Sequence, residues 1–325
     1  MSPKTKPGNL NLLHGKKRMF NSAFLKIMFP FDPLKLGRGV AMACVFAFPF
    51  FSAAAGSPPA KSSGGRHCLW RVTNAKAPFY LLGSVHRMRD GDYPLPGIME
   101  QAINESQQFY FEYDPKRDDE LERKLQAAAK LPRGQEIKDK VHTKTWDYLR
   151  TGARGGSFDW VHLKAWAVAM SVLDYPVHER LSAAYGLDNY VEKKARARNC
   201  PMRGLESVDD HVAVFGGMND IESEAYLLQA IVYADQHDSF CRDMINAWKS
   251  GNTEKLASLE APVVREAPGL NPRFLEWRNA RWIPVIENAI KSNKPTMIVA
   301  GAGHFSGSNS VIALLRARGY QIEQL

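Results

Sequence analysis

The chain has 325 residues, 45% of them hydrophobic and 24% charged, a composition that supports a packed core and excludes a disordered chain or a coiled coil. The formal net charge is +9, but residues 1–55 carry eight basic residues and one acidic residue, which leaves 35 basic and 33 acidic residues for 56–325. A net charge of +2 without a basic stripe is not the electrostatic signature of a nucleic-acid-binding protein, so we predict no nucleic-acid partner.

Residues 1–55 have the pattern of a leader with a secretory signal. Lys35 and Arg38 precede the apolar run VAMACVFAFPFF at 40–51, and small residues ending at Ala55 follow it. A membrane-spanning helix would need about 20 apolar residues. The pattern predicts cleavage after Ala55 and export, which would place the protein in the periplasm or outside the cell. The alternative is an uncleaved leader, which would then be the only membrane contact.

Residues 56–67 are rich in Gly, Ser and Pro and predict a flexible linker, followed by a single domain over 68–325. Export permits disulfides, yet only Cys68, Cys200 and Cys241 remain after cleavage, and no two of them have C-x-x-C spacing. The sequence leaves open one bridge with a free thiol, or three unpaired and largely buried cysteines.

The first part of this domain predicts a mixed sheet. Apolar runs at Cys68–Thr73 and Pro78–Leu82 are separated by Asn74–Ala77, which predicts a hairpin turn between two strands. A helical pattern from Leu95 to Ser106 leads to a third apolar run, Gln108–Tyr113. The order strand, strand, helix, strand indicates an α/β fold with a mixed, partly parallel sheet and flanking helices.

The middle of the chain predicts a helical insert, because apolar residues recur there at three- and four-residue spacing. The predicted helices are Leu121–Lys130, Lys144–Arg150, Trp160–Leu173, Asp188–Arg198 and Ile221–Lys249. Asp188 and Asn219 are the residue types that cap helix N-termini, and each precedes a predicted helix.

The C-terminal part predicts a β-α-β unit. A helix at Arg278–Lys291 precedes the apolar strand Thr296–Ala300, and the helix Ser310–Arg318 leads to a closing strand, Tyr320–Glu323. Two strands joined by a helical crossover are normally parallel.

Two of the predicted strands run into the same motif, G-x-x-H, at Gly83–His86 and Gly301–His304. A third strand ends in Glu112, with Asp114 two residues further on. Because ligands in open α/β sheets bind at the carboxyl ends of strands, we expect these side chains to meet in one crevice. Two imidazoles and a carboxylate with one open position suit a divalent metal that activates water.

Other chemistries fit the sequence less well. Gly301-Ala302-Gly303 after a strand resembles a nucleotide-binding turn, but only 21 residues follow His304, too few for the rest of such a domain. The helix-borne zinc motif H-E-x-x-H and the serine nucleophile motif G-x-S-x-G are both absent.

Six motifs in order give the chain a resemblance to the TraB/GumN family, which is related to the Tiki proteins and to erythromycin-esterase-like and ChaN-like proteins. The motifs are the two G-x-x-H sequences, the acidic strand end at Glu112 and Asp114, Gly204-Leu205-Glu206, Arg278-Asn279, and Gly319-Tyr320. They extend over about Cys68 to Leu325, essentially the whole predicted domain.

This resemblance implies a metal-dependent peptidase acting on a peptide or protein, as the Tiki proteins are. His86, Glu112 and His304 would be the ligands of a Mn, Co or Zn ion. Glu206 would be a further ligand or the general base, and Arg278 would stabilise the oxyanion.

Two alternatives concern the protein as a whole. One is a non-catalytic module that binds a metal or a haem complex, as the ChaN-like relatives suggest, and the other is a scaffold that has kept the fold without chemistry. Two more concern single residues: Glu206 could belong to the polar start of a helix, and Arg278 could pair with Glu276 or Glu287 on a helix surface.

Overall fold

A six-stranded sheet forms the centre of the protein. The computed structural model describes residues 65–152, 160–173, 181–234, 237–266 and 269–325. In the sheet the strands stand in the order β4-β3-β5-β2-β1-β6. Their bounds are β1 Leu69–Val72, β2 Phe79–Ser84, β3 Gln108–Phe111, β4 Met202–Gly204, β5 Thr296–Gly301 and β6 Ile322–Gln324.

The sheet is mixed, as the sequence predicts. Four neighbouring strands, β4, β3, β5 and β2, are parallel. β1 pairs with β2 as the predicted antiparallel hairpin, and β6 pairs antiparallel with β1. The strand β6 therefore runs in the same direction as β5, as expected for a β-α-β unit, but two other strands lie between them.

Helices surround the sheet and supply the insert in its middle. The described residues form eleven α-helices: α1 Gly97–Glu105, α2 Asp118–Ala129, α3 Thr143–Gly152, α4 Ala165–Leu173, α5 Leu187–Ala197, α6 Val208–Gly216, α7 Asp220–Ala234, α8 His237–Lys249, α9 Thr253–Glu266, α10 Trp277–Lys291 and α11 Val311–Arg316. A single π-helical turn, Pro272–Glu276, leads directly into α10.

Two groups of buried apolar side chains make up the core of the described residues. One contains the sheet, with Phe79, Leu81 and Ile298 among its members, and the other lies among the inserted helices around Trp166 and Phe215. Trp160 and Trp166 are both buried, which confirms that they pack in the core.

The predicted single helix Ile221–Lys249 was wrong: the structure has two helices, α7 and α8, in its place. Leu227 and Ala230 of α7 are buried in the insert, whereas Ile245 and Trp248 of α8 are buried against the sheet. The two helices therefore contribute their apolar residues to different cores.

The two predicted helix caps have different outcomes. Asn219 is a cap, because its Oδ1 accepts a hydrogen bond from the Glu222 amide at 2.9 Å. The predicted cap at Asp188 was wrong. Gly186 holds the cap position of α5, and Asp188 lies in the first turn with a buried side chain.

The leader and the start of the linker lie outside the described residues, as does Tyr175, which we also expect in the core. Within the described residues no helix combines the length and the hydropathy required to cross a bilayer. Among the described residues, Cys68, Cys200 and Cys241 form no disulfide; Cys68 and Cys241 are buried, and Cys200 is partly exposed.

Candidate functional site

The carboxyl ends of the four parallel strands deliver the site residues to one edge of the sheet. His86 follows β2 by two residues, Glu112 follows β3 directly, Glu206 follows β4 by two residues, and His304 follows β5 by three. This edge is where open α/β sheets bind ligands. Asp114 does not join the group, because β3 ends at Phe111 and the Asp114 carboxylate instead accepts a hydrogen bond from the Lys116 amide.

Backbone pairing beyond the strands places Glu112 beside Glu206. The amide of Leu205 donates to the Phe111 carbonyl at 2.8 Å, and the amide of Glu206 donates to the Glu112 carbonyl at 2.9 Å. A side chain at Gly204 would approach the carbonyl oxygen of Glu206 to 2.6 Å. Only glycine leaves the backbones close enough for the two carboxylates to be neighbours.

Arg278, on α10, joins these two carboxylates and is fully buried. Its Nη2 donates to Glu112 Oε2 and to Glu206 Oε1, each at 2.6 Å, and its Nε donates to Glu206 Oε2 at 3.0 Å. Its Nη1 contacts the Phe274 carbonyl of the π-helical turn at 3.2 Å and His304 Nε2 at 3.3 Å. The interpretation of Arg278 as a surface residue paired with Glu276 or Glu287 was wrong, because α10 packs this face onto the strand ends.

The buried ion pairs shift the acidity of all three groups. Burial opposes ionisation of Glu112 and Glu206, but the Arg278 guanidinium outweighs it. The pKa of Glu112 is held well below its usual range, and the pKa of Glu206 falls to about 2 with the additional help of His211. In turn the carboxylates overcome the burial of Arg278 and raise its pKa. Both glutamates are therefore ionised at neutral pH.

His304 is held as a neutral imidazole with a defined tautomer. Its Nδ1 lies 2.6 Å from Asn279 Oδ1, and Asn279 Nδ2 donates to the Asn309 carbonyl at 2.9 Å, which identifies the amide oxygen. Nδ1 consequently carries the proton, and Nε2 keeps its lone pair. Burial and the nearby Arg278 lower the pKa of His304 to about 3. The ring of Trp282 packs on the imidazole with centroids 4.2 Å apart.

His86 faces the same space from the other side. Its Nδ1 is 3.0 Å from Asp188 Oδ2, and its Nε2 is buried without a hydrogen-bond partner among the described residues. Burial alone would lower the pKa of His86, but Asp188 and Glu112 more than offset this and raise it.

The three predicted ligands, His86, Glu112 and His304, surround Gly301. A Cβ at Gly301 would lie 3.5 Å from Glu112 Oε1 and 3.8 Å from both His86 Nε2 and His304 Cδ2. The Gly301 amide donates to Glu112 Oε1 at 2.9 Å, and this oxygen is 3.8 Å from His304 Nε2. His86, Glu112 and His304 therefore lie around the space that a side chain at position 301 would occupy.

A tighter group lies next to it. Glu112, Glu206 and His211 each offer a ligand atom within 4.8 Å of the others, so this buried group could hold a metal ion. The Arg278 guanidinium donates to both carboxylates of the group, so it already supplies a cation there. The set of His86, Glu112 and His304 is wider, and an ion bound by it would have to draw the side chains together.

Sequence reasoning missed His211, which is buried on α6 with its Nδ1 2.7 Å from Glu206 Oε1. It also missed Asp188 and Trp282, whose indole donates to Glu206 Oε2 at 3.0 Å. Asn279 was present only as part of the Arg278-Asn279 motif. None of these residues falls at a spacing that marks a site, since they reach the strand ends from three helices, α5, α6 and α10.

The chain belongs to the TraB/PrgY/gumN family, whose model matches residues 68–324. This match covers almost all of the predicted domain and confirms the resemblance drawn from the six motifs. None of the curated proteins and none of the solved structures matches the chain.

We expect acid to destabilise the metal-free protein through Glu206. Its pKa is about 2 in the folded state against an ordinary value of 4.5, so its stabilising effect is present above pH 4.5 and is lost as the pH falls toward 2. Urea unfolding followed by circular dichroism across this interval measures the loss. Glu206→Gln should be less stable at neutral pH and should lose less stability in acid. An equal acid dependence in the variant would contradict this assignment.

Proposed function

We propose that the protein is an exported metal-dependent hydrolase, a peptidase, in which His86, Glu112 and His304 hold a divalent ion such as Mn, Co or Zn. The observation that carries the proposal is the Nε2 atom of His86, which is buried and has no hydrogen-bond partner among the described residues. It lies beside Gly301 together with Glu112 Oε1 and His304. Buried polar atoms rarely stay unpaired unless a water or an ion satisfies them.

The local charge also favours a cation. Among the described residues, the buried carboxylates of Glu112 and Glu206 share the Arg278 guanidinium, a third buried carboxylate, Asp188, lies against His86, and His304 is neutral. Burying unbalanced negative charge is unfavourable unless a positive charge accompanies it. A divalent ion at the strand ends would reduce this imbalance.

A divalent ion in this position would supply a Lewis acid that lowers the pKa of a bound water. The protein's own residues orient the ligands: Arg278 and the Gly301 amide fix the two oxygens of Glu112, and Asn279 fixes the tautomer of His304. All five N–H donors of Arg278 face acceptors within the protein. The resemblance implies Arg278 as the oxyanion donor, but its N–H groups are engaged in these contacts, so the backbone amides of the turn after Gly301 are the better candidates.

A second candidate is a non-catalytic module that captures a metal or a haem complex in the same pocket. It is favoured by the state of Glu206, our predicted base, whose two oxygens accept hydrogen bonds from Arg278, His211 and Trp282. A hydrolase needs a base that can reach the attacking water, whereas a binding module does not.

The ion is tested by the metal content of the purified protein after equal exposure to Mn, Co and Zn. We expect near-stoichiometric metal in the wild type, and its loss in His86→Ala and His304→Ala because each removes a ligand. His142→Ala, which removes an exposed histidine, is the matched control and should retain the metal. Metal that persists in both site variants, with folding verified by circular dichroism, would refute the site. The intact mass of the exported protein, expected to begin at Gly56, tests the export.

Catalysis is tested separately with the metal-loaded protein and a peptide library. A peptidase cleaves peptides at a rate that follows the metal content of the wild type and the variants. Stoichiometric metal without cleavage would favour the binding module. A protein that binds no metal would leave only the hypothesis of a scaffold without chemistry.

A further inference from the structure

Asp188 occupies a position that its sequence context does not predict. Asp188 lies in the first turn of α5, and only 7% of its surface is exposed to solvent. The amide of Leu187 donates to the Val85 carbonyl at 3.0 Å, which docks the start of α5 against the segment that leaves β2. This contact places the Asp188 carboxylate beside His86.

The Asp188 carboxylate is hydrogen-bonded to two side chains of the first G-x-x-H segment. Asp188 Oδ1 accepts a hydrogen bond from Ser84 Oγ at 2.7 Å, and Oδ2 lies 3.0 Å from His86 Nδ1. An ionised carboxylate only accepts hydrogen bonds, so Nδ1 carries the proton. When the imidazole is neutral, its lone pair is then on Nε2, the atom that lies near Gly301 together with Glu112 Oε1.

The helix start is closely fitted to His86. A Cβ at Gly186 would stand 2.4 Å from the His86 carbonyl oxygen, a distance that real side chains do not reach. Glycine lets the backbone ahead of Asp188 touch the backbone of His86. The carboxylate and the imidazole are therefore held by two adjoining, packed segments of main chain.

We propose that Asp188, oriented by Ser84, is the positioning residue for His86: it fixes the imidazole as the Nδ1–H tautomer and aims Nε2 at the pocket. A carboxylate behind a histidine ligand also raises the basicity of the ligand. This inference deepens the proposed function, on which its metal-binding part depends. The competing explanation is a structural one, in which Asp188 only stabilises α5 as an acidic residue in its first turn.

The first test is the tautomer of His86 in the metal-free full chain, read from the ¹⁵N shifts of its imidazole by nuclear magnetic resonance at about pH 9, where an ordinary imidazole is neutral. The signal is assigned by its loss in His86→Ala. We expect the Nδ1–H form in the wild type and a shift toward the Nε2–H form in Asp188→Ala. Asp209→Asn removes an exposed first-turn acid from α6 and should change nothing.

The second test is affinity for Zn or Co, measured by titration of the same proteins. Loss of an outer-shell partner typically weakens metal binding about 10- to 100-fold, and we expect this for Asp188→Ala. Asp188→Asn should restore part of the affinity, because its amide oxygen can accept from His86 Nδ1 while its amide nitrogen donates to Ser84 Oγ. If Asp188→Ala fails to fold, Ser84→Ala takes its place, with a smaller effect expected in the same direction.

Either test can fail without the other. An unchanged His86 tautomer in folded Asp188→Ala would overturn the positioning role, whether or not the protein binds metal. A wild type that binds no metal but whose Nδ1–H form shifts in Asp188→Ala would refute the proposed metal site and support the orientation of His86 by Asp188. Equal metal affinity in the wild type and Asp188→Ala would overturn the part of the proposal in which Asp188 strengthens metal binding through His86.

Discussion

Replacing Arg278 with Met is expected to lower the free energy of unfolding by about 3–5 kcal/mol, the usual result when one member of a buried ion pair is removed. Methionine fills much of the same volume, so the loss would reflect charge more than packing. The substitution would leave the Glu112 and Glu206 carboxylates side by side and buried, without the guanidinium whose charge stabilises their ionised form. Urea unfolding followed by tryptophan fluorescence measures the change.

Two further variants separate electrostatics from packing at this position. Combining Arg278→Met with Glu112→Gln and Glu206→Gln should recover part of the stability, because no buried charge of this triad then remains. Arg281→Met replaces an exposed arginine on the same helix and should change stability by less than about 0.5 kcal/mol. A similar loss at both arginines, or no recovery in the triple variant, would contradict the role of Arg278 as the internal cation.

The second large effect is expected at Gly301, where Gly301→Ala should abolish metal binding without unfolding the protein. The new methyl group would lie 3.5–3.8 Å from Glu112 Oε1, His86 Nε2 and His304 Cδ2, which is ordinary van der Waals contact. It would occupy the space that an ion needs to approach its ligands to about 2 Å. Gly301 has a negative φ of −49°, a conformation open to alanine, so stability should change by less than about 1 kcal/mol.

The measurement combines metal content with urea unfolding of the same preparation. Gly97→Ala is the matched control, because a Cβ there meets nothing within 4 Å and Gly97 lies at the start of α1. We expect the control to bind metal like the wild type. Full metal content in Gly301→Ala would place the ion elsewhere, and the group formed by Glu112, Glu206 and His211 would be the next candidate.

Arg278 bears on that choice between the two groups. Its guanidinium is within hydrogen-bond distance of both carboxylates of the tighter group, so a metal ion entering there would compete with a cation already bound to them. The wider group uses the other oxygen of Glu112, which faces Gly301 and the two G-x-x-H histidines. Glu112 can therefore serve the internal cation with Oε2 and an ion with Oε1, whereas His304 Nε2, 3.3 Å from Arg278 Nη1, would have to leave that contact to bind an ion.

Local sequence patterns predicted most of the individual elements. The apolar runs of β1, β2, β3 and β5 and the periodic stripe of α10 specify their own conformation through burial of alternate or periodic residues. The three-residue strand β4 escaped notice because it is too short for a pattern. The helix α9 was also missed; its C-terminal half contains Pro262 and two valines, which are poor helix formers.

The site was predictable where it depended on strand ends, and not where it depended on helices. His86, Glu112 and His304 follow apolar strands, so the topological rule for parallel sheets was enough to group them. The buried environment of Arg278 was not predictable, because α10 reaches the strand ends only through long-range packing. The same holds for His211, which approaches Glu206 from α6.

The amino-acid sequence alone determined the family, the α/β class of the fold and the two histidine motifs, since these reside in short stretches of residue types. Only the tertiary structure decided which atoms face one another. Asp188 illustrates the difference: its residue type suits a helix cap, yet the docking of α5 against the end of β2 makes it the partner of His86. Local propensity is set by neighbours in the chain, whereas hydrogen bonds and charge pairing are set by neighbours in space.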